Sequence, residues 1–356
     1  MFERLGSVAP AEPGMVLRGI GAASGLYALL AAHTKTDSTA SLRRVGYDVD
    51  MVVDDAVDEA DGVRSLLLRR SDGAPVHRWK AGAHVDLTTP SGATRQYSLA
   101  GSVPGGRHHR IAVRRVEGGS VSAEIHALPV GSHVRVRGPR NAFPLSAAPS
   151  YLFVAAGIGI TPILSMIEAT ASLSTPWTLY YHGRARASMP FLAMLGELAA
   201  MSGGRLIIRS DDEDGLPDSE AIASLARPGT AMYVCGPAAL TQIMRVRARA
   251  LPDVEFHAEL FSPPPVVDGE PFALTLMSTG EKIVVGPTET ALDAVRRLRP
   301  EQAFSCRQGF CGACVVRYRS GEPRHLDRVL RPMEQSSSMA LCVSRAARDT
   351  NLVLDL

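Results

Sequence analysis

Apolar positions change their period as the chain advances. Between Gly46 and Leu145 they fall in short alternating runs. Val49, Met51 and Val53 stand between acids, the period of two expected of a half-buried strand. Ser65–Arg69, Val85–Thr88, Gln96–Leu99, Ile111–Val116 and Val134–Arg137 repeat the texture. Ser71-Asp72-Gly73, Pro90-Ser91-Gly92 and Pro104-Gly105-Gly106 supply turns between them. Many short strands with frequent turns predict an antiparallel β-barrel.

Beyond Pro149 strands and helices alternate. Strands are expected at Tyr151–Ala156, Trp177–His182, Arg205–Ser210 and Ala231–Cys235. Helices are expected at Pro162–Ser172, Phe191–Met201, Asp218–Ala226 and Ala238–Leu251. That alternation predicts an α/β domain with a parallel, doubly wound sheet. Ser262-Pro263-Pro264-Pro265 reads as a stiff linker, because proline fixes φ and favours extended backbone. Phe272–Leu356 opens like a hairpin, places a helix near Ala291–Leu298 and ends in further strands. Met15–His33 predicts one helix, weakened by Gly19, Gly21 and Gly25. The expected divisions are thus an extension over 1–46, a barrel over 47–146, an α/β domain over 147–261, a linker over 262–270 and a final domain over 271–356.

Composition adds bounds. A length of 356 residues leaves room for two or three cores, and 46% hydrophobic with 21% charged residues is ordinary for a globular chain. A net charge of +2 gives no global signal for nucleic acid or membrane. The apolar stretch Gly19–Ala32 is too short to span a bilayer, and Glu3 and Arg4 precede no clean signal core. A cytoplasmic protein is expected.

Four of the five cysteines lie in the last 51 residues. Cys306, Cys311 and Cys314 follow C-x4-C-x2-C, and Cys342 comes later, the spacing of a plant-type two-iron two-sulfur cluster. Gly309 and Gly312 suit such a loop, since they tolerate positive φ and let amides approach sulfur. A zinc site would favour two short cysteine pairs, and only one C-x2-C exists. Structural disulfides fit poorly in a long, cysteine-poor chain.

Two strand-ending turns carry further chemistry. Gly157-Ile-Gly159-Ile-Thr161-Pro162 offers free amides at a helix start, with Thr161 as expected N-cap and Pro162 at the first helical position. The third glycine of the dinucleotide fingerprint is missing, so an ordinary Rossmann dehydrogenase is not supported. The same stretch also reads as a plain strand-to-helix turn. Cys235-Gly236-Pro237 ends a later strand of the same sheet, and strand carboxyl ends of open α/β sheets line ligand crevices. In the barrel, Arg95-Gln96-Tyr97-Ser98 offers a phosphate grip, a hydrogen-bonding group and a flat ring for stacking. Taken by themselves, Arg95 reads rather as a surface arginine and Tyr97 as core. Gly118-Gly119-Ser120-Val121 offers more amides.

In this order, these pieces resemble the phthalate dioxygenase reductase family of the ferredoxin reductase superfamily. Pro139-Arg-Asn-Ala-Phe-Pro144, His257-Ala-Glu259, Cys342-Val-Ser-Arg345 and Leu352–Leu356 add to the match, which covers roughly residues 48–356. The resemblance implies a flavin barrel, a nicotinamide domain and an α+β (β-grasp) ferredoxin domain. It implies FMN on Arg95, Gln96, Tyr97, Ser98, Ala112, Val113, Arg114, Gly118, Gly119, Ser120, Val121 and Thr161, with Phe261 over the ring. It implies NADH on Gly157, Gly159, Gly236 and Pro237, with Ser98, Cys235 and Glu259 serving the hydride step. Asp211 and Asp212 are candidate ribose contacts and would repel a 2′-phosphate, although Arg184 points the other way.

The expected role is the reductase component of a multicomponent oxygenase. Electrons would run from NADH through FMN to the cluster and on to a separate terminal oxygenase of the Rieske type. The final transfer is downhill, since plant-type clusters sit near roughly −400 mV and Rieske centres at about −150 to +300 mV. The alternatives are a stand-alone electron carrier or redox sensor, a reductase for a haem monooxygenase, and a zinc-stabilised binding protein. Residues 271–356 hold 12 Lys or Arg against 9 Asp or Glu. Arg307, Arg317, Arg319, Arg324 and Arg328 suggest a basic docking face or, equally, a solvated surface.

Overall fold

A computed structural model describes residues 47–261 and 266–356. The helix expected over Met15–His33 and the proline run at 262–265 lie outside the described residues. Among the described residues no helix is long and apolar enough to cross a membrane.

The first domain is an antiparallel sheet of six strands: β1 (Tyr47–Ala60), β2 (Val63–Arg70), β3 (Ala83–Thr88), β4 (Thr94–Ser98), β5 (His108–Arg114) and β6 (His133–Asn141). They run in the order β4-β3-β6-β1-β2-β5. The two end strands meet through a bridge between Leu99 and Ile111, and the Ala100 N–H donates to the Arg110 carbonyl at 2.9 Å. That seam closes the sheet into a barrel, which removes its free edges. Alternation packs Met51, Val53, Leu66, Leu68, Val85, Leu87, Leu99 and Ile111 inside. A helix, Ser120–Ala127, was not anticipated because its short run of Ser, Val and Ile carries no long helical period.

The second domain is a parallel sheet of β7 (Ser150–Ala156), β8 (Trp177–Gly183), β9 (Arg205–Ser210), β10 (Thr230–Cys235) and β11 (Glu255–Glu259). The order is β11-β10-β7-β8-β9. The chain steps from β7 out through β8 and β9, then returns to the other side of β7, so the topological switch point lies between β7 and β10. The helix expected from Pro162 begins earlier, at Ile160. Thr161 is therefore not the N-cap. Gly157–Gly159 forms a 3-10 turn that runs straight into the helix, Gly159 takes the cap position, and the Thr161 hydroxyl donates back to the Ile158 carbonyl at 3.0 Å. The helix expected over Asp218–Ala226 is shorter, Ser219–Ala223, with Asp218 capping the amides of Glu220 and Ala221.

The third domain has β12 (Phe272–Leu276), β13 (Lys282–Val285), β14 (Val315–Ser320), β15 (Pro323–Arg324), β16 (Ser338–Ala340), β17 (Arg345–Ala346) and β18 (Asn351–Leu354). The main sheet runs β13-β12-β18-β14-β16, with β12 and β18 parallel. The helix Ala291–Leu298 buries Ala291, Leu292, Ala294 and Val295 against it. Thr290 caps that helix by accepting the Asp293 N–H at 3.1 Å, the local signal that made its start legible.

Barrel and parallel sheet are tied by polar contacts at their seam. The Gly82 N–H donates to Ser165 Oγ at 3.1 Å, and Ser102 donates its N–H and hydroxyl to Glu168 at 2.6 and 3.0 Å. Leu99 is fully buried at the strand closure. Leu99→Ala is expected to cost about 2–5 kcal/mol, measured by urea unfolding. Val116→Ala, at a position 59% exposed, is expected to stay within about 0.5 kcal/mol.

Candidate electron-transfer site

Parallel register aligns three chemistries at the carboxyl ends of neighbouring strands. Ala155 of β7 stands beside Cys235 of β10, and Cys235 stands beside Glu259 of β11. The turns after β7 and β10 interlock there. A side chain on Gly159 would fall 2.1 Å from the Cys235 carbonyl oxygen, and one on Gly236 would fall 2.8 Å from the Ala156 Cβ. Two bare backbone turns therefore line the switch-point crevice, a fit for a pyrophosphate.

Ser98 closes this group from the barrel side. Its hydroxyl donates to Glu259 Oε2 at 3.4 Å across the domain seam. Burial lifts the Glu259 carboxyl to about 8, against a smaller pull from the Ser98 hydrogen bond. Burial, then the neighbouring Glu259 charge, push the Cys235 thiol well above its ordinary range, so Cys235 stands protonated. Ser98, Cys235 and Glu259 are brought together; Asp211 is not with them. It follows the end of β9, on the opposite sheet edge and four strand spacings from Glu259, roughly 19 Å. Its carboxylate is engaged by His182 Nε2 at 2.7 Å.

The barrel motif divides according to the pleat. Tyr97 packs toward the barrel core and Arg95 is exposed at the strand start. Gln96 and Ser98 face outward, opposite Asp86 and His84 of β3. Gln96 Nε2 is buried without a partner, a donor free for a ring acceptor such as a flavin presents. Ala112 and Val113 are buried on β5. The Arg114 guanidinium lies 2.9 Å from where a Gly157 side chain would be, which brings the barrel up to the glycine turn. Gly119 caps Ser120–Ala127 without a side-chain bond, so its first amides have no intrahelical carbonyl and can receive a phosphate. Phe261 is 46% exposed. A groove of about 600 Å³ along the β9 edge, between Tyr180 and Leu225, is lined by none of the expected cofactor residues.

The four cysteines converge. Cys306 lies against Cys311 and Cys342, and Cys342 also against Cys314. Hydrogen bonds from Cys311 and Cys342 hold the Cys306 thiol below its usual range. Backbone amides point at sulfur as well: Gln308 N–H to Cys306 Sγ at 3.3 Å and Cys306 N–H to Cys311 Sγ at 3.4 Å. Among the described residues no three ligand-type side chains group around a single ion. The donor set fits a two-iron cluster, which asks for two thiolates per iron. Gly309 and Gly312 take φ of 78° and 77°, as a loop this tight requires.

No motif along the chain signals what joins this loop to the barrel. Asp86 accepts from Ser305 Oγ at 3.0 Å and pairs with Arg140 at 2.5 Å. The His84 and Phe310 rings meet edge-on with centroids 5.8 Å apart. Gln308 Nε2 donates to the Leu260 carbonyl. Phe304 lies under the guanidiniums of Arg296, Arg95 and Arg307 at 4.5, 5.4 and 5.7 Å. Asp86 and Ser305 are 219 residues apart, and only spacing within one segment is visible along a sequence.

Such a fold and site define an NAD(P)H-dependent flavin and iron–sulfur oxidoreductase. Comparison with known proteins agrees. An oxidoreductase FAD-binding domain matches residues 52–144, an oxidoreductase NAD-binding domain 153–246 and a 2Fe-2S iron-sulfur cluster binding domain 274–347. The chain belongs to the phthalate dioxygenase reductase family. It is 36% identical over 310 residues to a putative toluene-4-sulfonate monooxygenase system reductase subunit of Comamonas testosteroni, covering 83% of this chain and 95% of that one. It is 36% identical over 307 residues to phenoxybenzoate dioxygenase subunit beta of Ectopseudomonas oleovorans, covering 83% and 94%. The structure of phthalate dioxygenase reductase matches with a TM-score of 0.63 and 31% identity, over 87% of this chain and 98% of that one. An intact type IV self-sufficient cytochrome P450 monooxygenase matches with a TM-score of 0.67 and 33% identity, over 87% of this chain but 41% of that longer one.

An unfolded glutamate titrates near 4.5 and folded Glu259 near 8. The folded state therefore holds the extra proton in that window, and stability falls as pH rises through it. Glu259→Gln is expected to gain in Tm on the wild type as pH rises from about 5 to about 9; a constant difference would remove this assignment. Asp86→Ala breaks a charge-assisted hydrogen bond of about 1.5–3 kcal/mol. Hydrogen exchange in the peptide spanning residues 305–311 is expected to quicken about ten- to a hundredfold, since each 1.4 kcal/mol is a factor of ten.

Proposed function

We propose that the chain is the reductase component of a multicomponent oxygenase, carrying electrons from NADH by way of FMN and a 2Fe-2S cluster to a separate terminal oxygenase, of the Rieske type first. The observation that carries this reading is the junction. One outward face of the barrel, His84, Asp86, Gln96 and Ser98, meets the nicotinamide domain at Glu259 and the cysteine loop at Ser305 and Phe310. When bound, the flavin accepts a hydride and releases electrons singly to the cluster.

The chain's own residues provide placement. Ser98 and Gln96 would orient the flavin ring, and Arg95 with the amides from Gly118 to Val121 would hold its phosphate. Ala112, Val113, Arg114, Thr161 and Phe261 would border it. Gly157, Gly159, Gly236 and Pro237 would seat the pyrophosphate, with Asp211 at the far edge for a ribose. Cys235 and protonated Glu259 would present neutral groups beside the reacting ring. Cys306, Cys311, Cys314 and Cys342 would ligate the irons. The first-named relatives are a monooxygenase system reductase subunit and a dioxygenase subunit, each covered almost end to end, which supports a separate oxygenase. The likeness to the P450 monooxygenase supports a haem acceptor as the second reading.

Anaerobic addition of NADH to the purified protein is expected to bleach both flavin and iron–sulfur bands. Heat extraction is expected to release FMN, and NADH to exceed NADPH in catalytic efficiency. A preparation with neither chromophore after reconstitution would end this reading. Release of FAD would overturn only the flavin assignment.

A further inference from the structure

The chain following β14 turns at Gly321 and runs extended past the cysteine loop. Its residues alternate strictly. Pro323, His325 and Asp327 turn inward, and the Asp327 side chain is wholly buried. Asp327 accepts the Leu330 N–H at 2.9 Å and the Ser344 hydroxyl at 3.2 Å. The backbone presses on the cluster loop: the Arg328 N–H donates to the Gly309 carbonyl at 2.9 Å, and a side chain on Gly309 would come within 3.0 Å of the Asp327 Cα. Pro323–Arg324 also pair with Arg345–Ala346, just beyond Cys342.

With the inner face fixed this way, Arg324, Leu326 and Arg328 point outward. Leu326 is 50% exposed. The other arginines expected to form a basic face fare differently. Arg307 is paired with Asp293 and Arg319 with Asp355, while Arg317, also exposed and without an ion-pair partner among the described residues, lies on β14. Among the described residues Arg324 and Arg328 have no ion-pair partner, and the acid on the same outward side is Glu322, at the turn end. Two uncompensated guanidiniums thus flank a half-exposed leucine directly over the loop that carries Cys306 and Cys311.

We propose that Arg324, Leu326 and Arg328 are the docking face for the electron acceptor, and that the acceptor is a protein presenting carboxylates around a small apolar contact. The inference rests on the reductase reading above and deepens it. Unpaired charge steers an oppositely charged partner and quickens encounter. Arginines around a desolvated apolar centre are the composition of an interface hot spot. The geometry places this contact one hydrogen bond from the cluster loop, so the partner seats where electrons leave.

The test uses the holoprotein with NADH and two haem proteins of opposite charge, acidic cytochrome b5 and basic cytochrome c. At low ionic strength Arg324→Glu with Arg328→Glu is expected to slow cytochrome b5 reduction about tenfold and to abolish its salt dependence. Reduction of cytochrome c is expected to rise. The Arg324→Gln, Arg328→Gln pair is expected to fall between, and Leu326→Ala to slow cytochrome b5 without changing its salt slope. Ferricyanide reduction in about 1 M salt, where screening reaches about 3 Å, should match the wild type in every variant, with iron–sulfur absorbance intact as the control for folding. Unchanged cytochrome b5 rates and salt slope in the charge-reversed protein would overturn the docking face. Failure of the wild type itself to pass electrons from NADH to ferricyanide would instead overturn the reductase reading.

Discussion

The Asp86 carboxylate is the contact on which this architecture turns. It is nearly buried, and a buried carboxylate survives only when its charge is answered and its lone pairs are filled. Arg140, across the strand pair from β3, answers the charge, and Ser305 fills a lone pair from the cysteine loop. The barrel therefore carries half of an interdomain bond in its own wall, and the loop carries the other half one residue before Cys306. Electron passage falls steeply with distance, so a flavin site and an iron site are useful to each other only if something sets their separation. On the proposed placement of the two cofactors, Asp86 and the His84–Phe310 contact would set it with side chains that bind neither.

The same face of β3 and β4 also receives the nicotinamide domain through Ser98 and Glu259. Placing both contacts on one outward face follows from the pleat. Barrel closure at Leu99 and Ile111 turns odd positions such as Tyr97 and Leu99 inward, and leaves His84, Asp86, Gln96 and Ser98 outside. The hydrophobic core and the junction are thus two readings of one alternation, and a slip of one residue in register would exchange them.

Much of this was legible along the chain, for identifiable reasons. Cysteine spacing is a local property, and the loop's positive-φ glycines sit where the spacing asks. The bounds of helix Ala291–Leu298 were readable because Thr290 caps it. Strands β7 to β10 were readable because buried parallel strands are continuous apolar runs. β11 escaped notice because Glu255, His257 and Glu259 give an edge strand a polar texture. Thr161 does not cap its helix because a glycine 3-10 turn can feed a helix with no side-chain cap at all. His84, Asp86 and Ser305 gave no signal: each is unremarkable among its neighbours, and their meaning arises only when distant segments meet.

The cysteine loop has two sides, and their chemistries differ. Ser305, Gln308 and Phe310 face inward to Asp86, Leu260 and His84, through one charge-assisted hydrogen bond to a compensated carboxylate, one neutral hydrogen bond and a ring contact. Gly309 offers its carbonyl to the other side, where Arg328 begins an uncompensated basic face. A permanent contact gains from satisfied partners, because unpaired charge inside it is a cost. A transient contact gains from unsatisfied ones, because long-range attraction governs encounter while few direct bonds keep release fast. On the proposed docking, the inward side has the character of a fixed electron entrance and the outward side that of an exit that opens after every turnover. A single loop can serve both only because its backbone is pinned from each direction, by Asp86 through Ser305 and by Asp327 through the strand it anchors.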